Sequence, residues 1–224
     1  MNMFLILILV ILIGEYLLGL TVDTLNVRHL KTDLPEAFSD VCDPERDRNS
    51  QEYLRETTRF GIIVNSVVTP ITIAFILMGG FNLVDRFARS FDLSMIPTGL
   101  IFAGSLMLLS QLLSIPFSIY STFVIEEKYG FNKTTPKTFV LDILKSWALV
   151  LLIGGVLFSG ILWFFEKAGP GAWFYCWMAV TVFQLFLMFI APLVIMPIFN
   201  KFIPLEEGDL KKAIEDYARA QKFK

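Results

Sequence analysis

A hydrolytic or metal centre needs histidine, cysteine or carboxylates at defined spacing, and this chain offers few of them. His29 is the only histidine, set between Arg28 and Lys31. One imidazole cannot build a catalytic zinc site, which takes three protein ligands. No HExxH, CxxC or glycine-rich phosphate loop occurs, and a Ser/His/Asp arrangement would have to borrow that one histidine. No residue is therefore assigned as catalytic or metal-binding. Cys42 and Cys176 are too few for a disulfide framework and read as free thiols, one in a loop and one in a span. The remaining candidates are carboxylates and polar groups in unusual settings. Glu15 is the one carboxylate inside a hydrophobic span. It either faces a polar cavity or snorkels or sits paired near the interface, where an acid costs less than at the bilayer centre. Glu126 and Glu127 stand side by side where a long apolar stretch ends. Two acids oppose the dipole of a helix C-terminus, so they are expected to find structural partners in the first loop or the tail.

These residues are carried by an all-α, polytopic membrane protein. The chain is 55% hydrophobic and 18% charged, against about 25% charged in soluble domains. The charges come in blocks. Residues 60–84, 93–125, 146–165 and 168–200 contain no Asp, Glu, Lys or Arg. About 20 apolar residues cross a bilayer, and a soluble helix of such length would need a polar stripe. Five spans are predicted, at about 3–20, 61–83, 95–118, 146–165 and 172–196. The first has the features of a signal anchor, with no basic n-region and no small-residue cleavage site. A net charge of −2 gives no footprint for nucleic acid.

Basic residues orient the spans. The loop after span one holds Arg28, Lys31, Arg46, Arg48, Arg55 and Arg59. The loop after span three and the tail bring this side to sixteen, against Arg86, Arg89 and Lys167 on the other. By the positive-inside rule, loops one and three and the tail are cytoplasmic and the N-terminus is outside. Trp163, Phe164 and Phe165 meet Trp173, Phe174, Tyr175 and Trp177 across Gly169-Pro170-Gly171, as an outer interfacial belt would.

Residues 93–125 and 168–200 are longer than a bilayer requires, about 50 Å each as helix. Spans two, three and five are expected to project into the cytoplasm and wall a shared chamber, with Pro97, Pro116, Pro192 and Pro197 available for kinks. Asp43-Pro44-Glu45 has the form of a helix start, from which one helix should run into span two. Gly130 permits a left-handed helix stop and Asn132 a turn. Leu210, Ile214 and Tyr217 share one face of a tail helix expected from about Leu205. That stripe needs a cover, for which a following domain is the natural source. Asn65, Gln111 and Gln184 are explained by hydrogen bonds between spans.

Two stretches resemble a known family. Phe123-Val124-Ile125-Glu126-Glu127-Lys128-Tyr129-Gly130-Phe131-Asn132-Lys133-Thr134-Thr135 is similar to the loop-three signature of the type I CAAX prenyl proteases, integral-membrane zinc endopeptidases of the HExxH class. The segment from Pro197 to Leu210 is a second match, and Gln51-Glu52-Tyr53-Leu54 a weaker third. The resemblance implies seven tilted helices around an intramembrane chamber, a zinc domain on its cytoplasmic side, and removal of the last three residues of prenylated CAAX proteins. Only the family's N-terminal portion is matched. The HExxH motif and third ligand of a complete member fall beyond this sequence, so zinc is expected there and no cofactor in this chain.

The resulting reading is a membrane domain at 1–204, and at 205–224 the start of a cytoplasmic helix leading to an absent catalytic domain. Candidate interdomain or chamber contacts are Glu15, Glu126, Glu127, Phe131, Asn132 and Asn200. The expected partners are the lipid bilayer, a downstream or separately encoded catalytic half, and membrane-associated or prenylated peptides in the complete protein. The location would be the cytoplasmic membrane in a bacterium or the endoplasmic reticulum membrane in a eukaryote. A non-catalytic scaffold keeping the family fold is the competing reading. A small transporter would need more intramembrane ionisable groups and repeat symmetry.

Overall fold

The computed structural model describes residues 2–30, 44–167, 169–203 and 205–221. Among them there is no strand. Five helical columns are long and apolar enough to cross a membrane: Met3–His29, Asp47–Leu77, Met95–Glu126, Pro136–Lys167 and Ala172–Phe199. The five-span, all-α reading holds, and the protein is a multi-pass integral membrane protein. Cys42, Asp43 and the first loop's Lys31 lie outside the described residues.

The first column is α1 (Met3–His29), begun by the Asn2 side chain, which accepts from the Phe4 amide at 3.3 Å. It runs nine residues past the expected end at 20, because 21–29 contain no helix breaker. The second is α2 (Pro44–Leu77), a single helix from its loop-one start into the membrane, as expected. Its 34 residues make about 50 Å. Span two does not continue to 83. The helix stops at Leu77, and Gly79 turns the chain with φ 74°, a left-handed conformation that favours glycine. A separate helix, α3 (Gly80–Arg89), follows.

The third column is α4 (Met95–Tyr120) continued by a π-helical turn at Ser121–Glu126. The fourth is α5 (Pro136–Leu149), a π turn at Val150–Gly154, then α6 (Gly155–Lys167). Thr135 caps α5, its hydroxyl accepting from the Thr138 amide at 3.2 Å, with Pro136 in the first turn. This places the start of span four ten residues before the predicted 146, so it too exceeds a bilayer's needs. The fifth is α7 (Ala172–Ile190), a π turn at Ala191–Ile195 containing Pro192, and α8 (Met196–Phe199). Proline has no amide hydrogen and crowds the preceding turn, which accounts for the widened turn at 191–195. The tail helix α9 spans Asp209–Ala220. It begins four residues later than expected because Gly208, fully extended, precedes it.

Packing follows chain order. α1 lies on α2, α2 on the π turn that ends the third column, α4 on α6, and α6 on α7. Only Val84, Ala88, Ile125, Ala172 and Cys176 are buried among the described residues. Most span side chains thus face outward, as suits helices whose apolar surface is covered by lipid or further helices.

Candidate functional site

The third column ends in a structured corner. Gly130 adopts φ 73°, the Phe131 amide donates to the Glu126 carbonyl at 2.9 Å, and the Gly130 amide donates to the Glu127 carbonyl at 3.1 Å. This is a Schellman stop, in which the two amides beyond the helix satisfy its last carbonyls. Asn132 continues the turn. Its Oδ1 accepts from the Thr134 amide at 2.7 Å, while its Nδ2 donates to the Glu127 carboxylate at 2.9 Å.

The corner is tied to α2 by a carboxylate that the sequence reading did not single out. Glu56 Oε2 accepts from Lys128 Nζ at 2.5 Å and from the Tyr129 hydroxyl at 2.7 Å. One turn earlier, Tyr53 meets Tyr129 and Phe131 edge-on, with ring centroids 5.5 Å and 4.8 Å away. The hydrogen bond to Glu56 holds Lys128 above the usual lysine range. The same carboxylate, with help from burial, pushes the Tyr129 phenol up. Below, Phe60 stacks on Tyr120 at 4.9 Å, and Ile125 is fully buried. Loop one and loop three therefore form one buttress, but not through Glu126 and Glu127, which were expected to find partners in loop one or the tail. The carboxylate comes from α2 and the cation from loop three. Glu127 pairs locally with Asn132, and the Glu126 side chain has no ion-pair partner among the described residues. The reason is geometric: Tyr53 and Glu56, three apart on one helical face, present acid and ring together toward 128–131.

A second tie joins the fourth and fifth columns. Lys145 Nζ binds Asp142 Oδ1 and the Ile198 carbonyl, each at 3.1 Å, and lies 5.6 Å from the Phe199 ring. Asn200 ends α8, its amide donating to Met196 at 2.9 Å, and its side chain is exposed. Within the described residues the cross-link between these columns is Lys145, not Asn200.

Glu15 faces the seam between α1 and α2. With Asp23, Asn65, Thr69 and Thr72 it lines a cavity of about 270 Å³. Beside it Ser66 donates to the Ile62 carbonyl, which leaves the Tyr16 hydroxyl to donate to Ser66 at 2.9 Å. Glu15 lines this groove and is itself exposed. Asp23 was missed because the predicted span ended at 20. Arg55 reaches the Leu30 carbonyl at 3.4 Å and fastens the far end of the α1–α2 pair.

Nothing here resembles a metal centre. Among the described residues no three of His, Cys, Asp and Glu gather, and His29 Nδ1 lies 2.7 Å from the Leu25 carbonyl of its own helix. The described residues do not fit a zinc ion.

The corner and the Ile198 end of the Lys145 tie fall on the two stretches that carry the family signatures. Residues 23–201 match the family described as CAAX prenyl protease N-terminal, five membrane helices. The chain belongs to the CAAX prenyl protease family. Among relatives, it is 38% identical to the probable CAAX prenyl protease 1 of Schizosaccharomyces pombe over 94% of this chain and 48% of that protein. It is 33% identical to the rice CAAX prenyl protease 1 homolog over 96% of this chain and 53% of the relative. For the human homolog the figures are 30%, 86% and 42%. The crystal structure of S. mikatae Ste24p superposes on all of this chain with a TM-score of 0.88 at 32% identity, using 53% of its own length. The chain thus spans about half the length of the relatives it matches.

Proposed function

We propose that this chain forms the wall of an intramembrane chamber in a CAAX-prenyl-protease-like zinc endopeptidase, and that it does not cleave peptides by itself. The observation that carries this is a pairing. The whole chain follows the S. mikatae Ste24p backbone at a TM-score of 0.88, yet its one histidine cannot supply the ligands of a protease zinc. Zinc and a glutamate base would come from a catalytic half supplied by further chain or by a separate protein. The described columns would hold a prenylated or membrane-associated peptide close to that half. The open row of helices, in which no substantial contact joins α1 to α7 among the described residues, leaves two edges for further helices to close. The exposed stripe Leu210, Ile214 and Tyr217 on α9 offers a packing face for the same half. The test is direct. The purified chain, given zinc and a farnesylated CAAX peptide, should release no tripeptide. Zinc-dependent release by the chain alone would overturn the reading.

A further inference from the structure

The turn between spans two and three carries a second membrane-binding element. α3 is sharply two-sided. Leu83, Val84, Phe87 and Ala88 occupy one arc of the helix, and Asn82, Asp85, Arg86 and Arg89 the other. The centre of the apolar arc is spent on the protein: Val84 and Ala88 are buried and α3 packs on α4. Its flank is not. Leu83 and Phe87 are 62% and 52% exposed, and Phe91, edge-on to Phe87 at 5.3 Å, is 51% exposed. Met78 and Leu93, at the two ends of the turn, are exposed as well.

We infer that α3 lies in the plane of the bilayer surface, with Leu83, Phe87 and Phe91 inserted among lipid headgroups and upper acyl chains. Three observations choose lipid as the occupant. First, α2 ends at Leu77 and α4 begins at Met95, so both neighbours are spans. The links of two and five residues reach at most about 3.5 Å per residue, which pins α3 beside the membrane surface the spans define. Second, Leu77 and Met95, the ends of α2 and α4 that adjoin the turn, are themselves exposed apolar residues. Third, the polar arc suits headgroups. Asp85 is engaged by Arg89 at 2.9 Å, while Arg86 has no ion-pair partner among the described residues and is free for a lipid phosphate. Phenylalanine and leucine on one face with arginine on the other is the composition of a helix that beds about 5–10 Å into the interface. Set there, α3 would fix the depth of spans two and three.

Spin labels test this on the full chain in phosphatidylcholine–phosphatidylglycerol vesicles, with Cys42→Ser and Cys176→Ala removing the native thiols. Labels are placed by Phe87→Cys, Leu83→Cys and, on the polar arc, Asn82→Cys. The expected result is a ratio of oxygen to aqueous nickel-chelate collision several-fold higher at 83 and 87 than at 82. Labels at 83 and 87 open to the nickel chelate would show a helix standing in water. Labels shielded from both reagents would show a helix covered by protein. Either result overturns the inference. If Phe87→Cys does not fold, Leu83→Cys and Phe91→Cys give the same reading.

Discussion

The Tyr129 hydroxyl donates to the Glu56 carboxylate at 2.7 Å, joining the helix that enters span two to the corner that leaves span three. The bond closes over 73 residues of chain. Because Lys128 uses the same oxygen, removing the carboxylate undoes two contacts at once. Tyr129→Phe removes one hydrogen bond to a charged group, worth about 1.5–3 kcal/mol. Glu56→Ala, which removes the acceptor of both bonds, should lower thermal stability in detergent at least as much. A double variant no worse than the poorer single one would show that the two residues act as a unit. Full additivity would show that they do not.

The same contact sets an alkaline limit. Lys128 and Tyr129 are both held above their ordinary values, first of all by the hydrogen bond to Glu56. A proton held more tightly in the folded state stabilises below the unfolded value, about pH 10 for both groups, and that stabilisation is lost as pH rises through the folded values. On the alkaline side, stability from this corner should therefore be level from neutrality upward and decline above about pH 10. The tyrosinate absorbance that Tyr129→Phe abolishes should emerge later than that of free tyrosine. In Glu56→Gln it should move to lower pH. Emergence at the free value in the unaltered chain would contradict the geometry.

Gly130 is required by its backbone. At φ 73° a side chain costs about 1–2 kcal/mol, so Gly130→Ala should destabilise the corner by that amount. Gly130→Asn should lose less, since asparagine tolerates this region better. Equal losses would point to a cause other than backbone strain. Differential scanning of the two variants decides it.

Gly80 is required by its neighbour. A Cβ there would sit 2.4 Å from the Phe75 ring, with Cγ also only 2.6 Å away, so the whole ring must move. Gly80→Ala should cost about 1–3 kcal/mol as an overpacking change. Phe75→Leu in the same chain should recover part of it, read as a smaller drop in melting temperature than the sum of the two singles.

How much of this was legible beforehand depended on whether the signal was local. Charge-free runs marked four of the five columns, an apolar run broken only by Glu15 marked the first, and Gly130 announced the stop that closes span three. Pro44 marked the start of α2. Boundaries set by the absence of a breaker were not visible, so α1 passed residue 20 and carried Asp23 into the cavity beside Glu15. The reverse error occurred at Gly79, where an uncharged run hid a turn, since glycine adds nothing to a count of charges. The buttress was anticipated as a place but not as a pairing. Adjacent glutamates attracted notice, whereas Glu56, one acid on a charged helix, acquires its role only when α2 meets loop three. Lys145 was likewise invisible, because its acceptor is the carbonyl of Ile198, which no residue type reveals.

The proposed role of these columns is to wall a protease's chamber without carrying its chemistry. Its most direct measurement is complementation. The chain is co-expressed in membranes with the part of the S. pombe relative that lies beyond the matched region, and tripeptide release from a farnesylated CAAX peptide is followed with and without a zinc chelator. No release is expected from either part alone, and chelator-sensitive release is expected when the two are present together. Release from this chain by itself, or two parts that neither co-purify nor cleave, would contradict the proposed role.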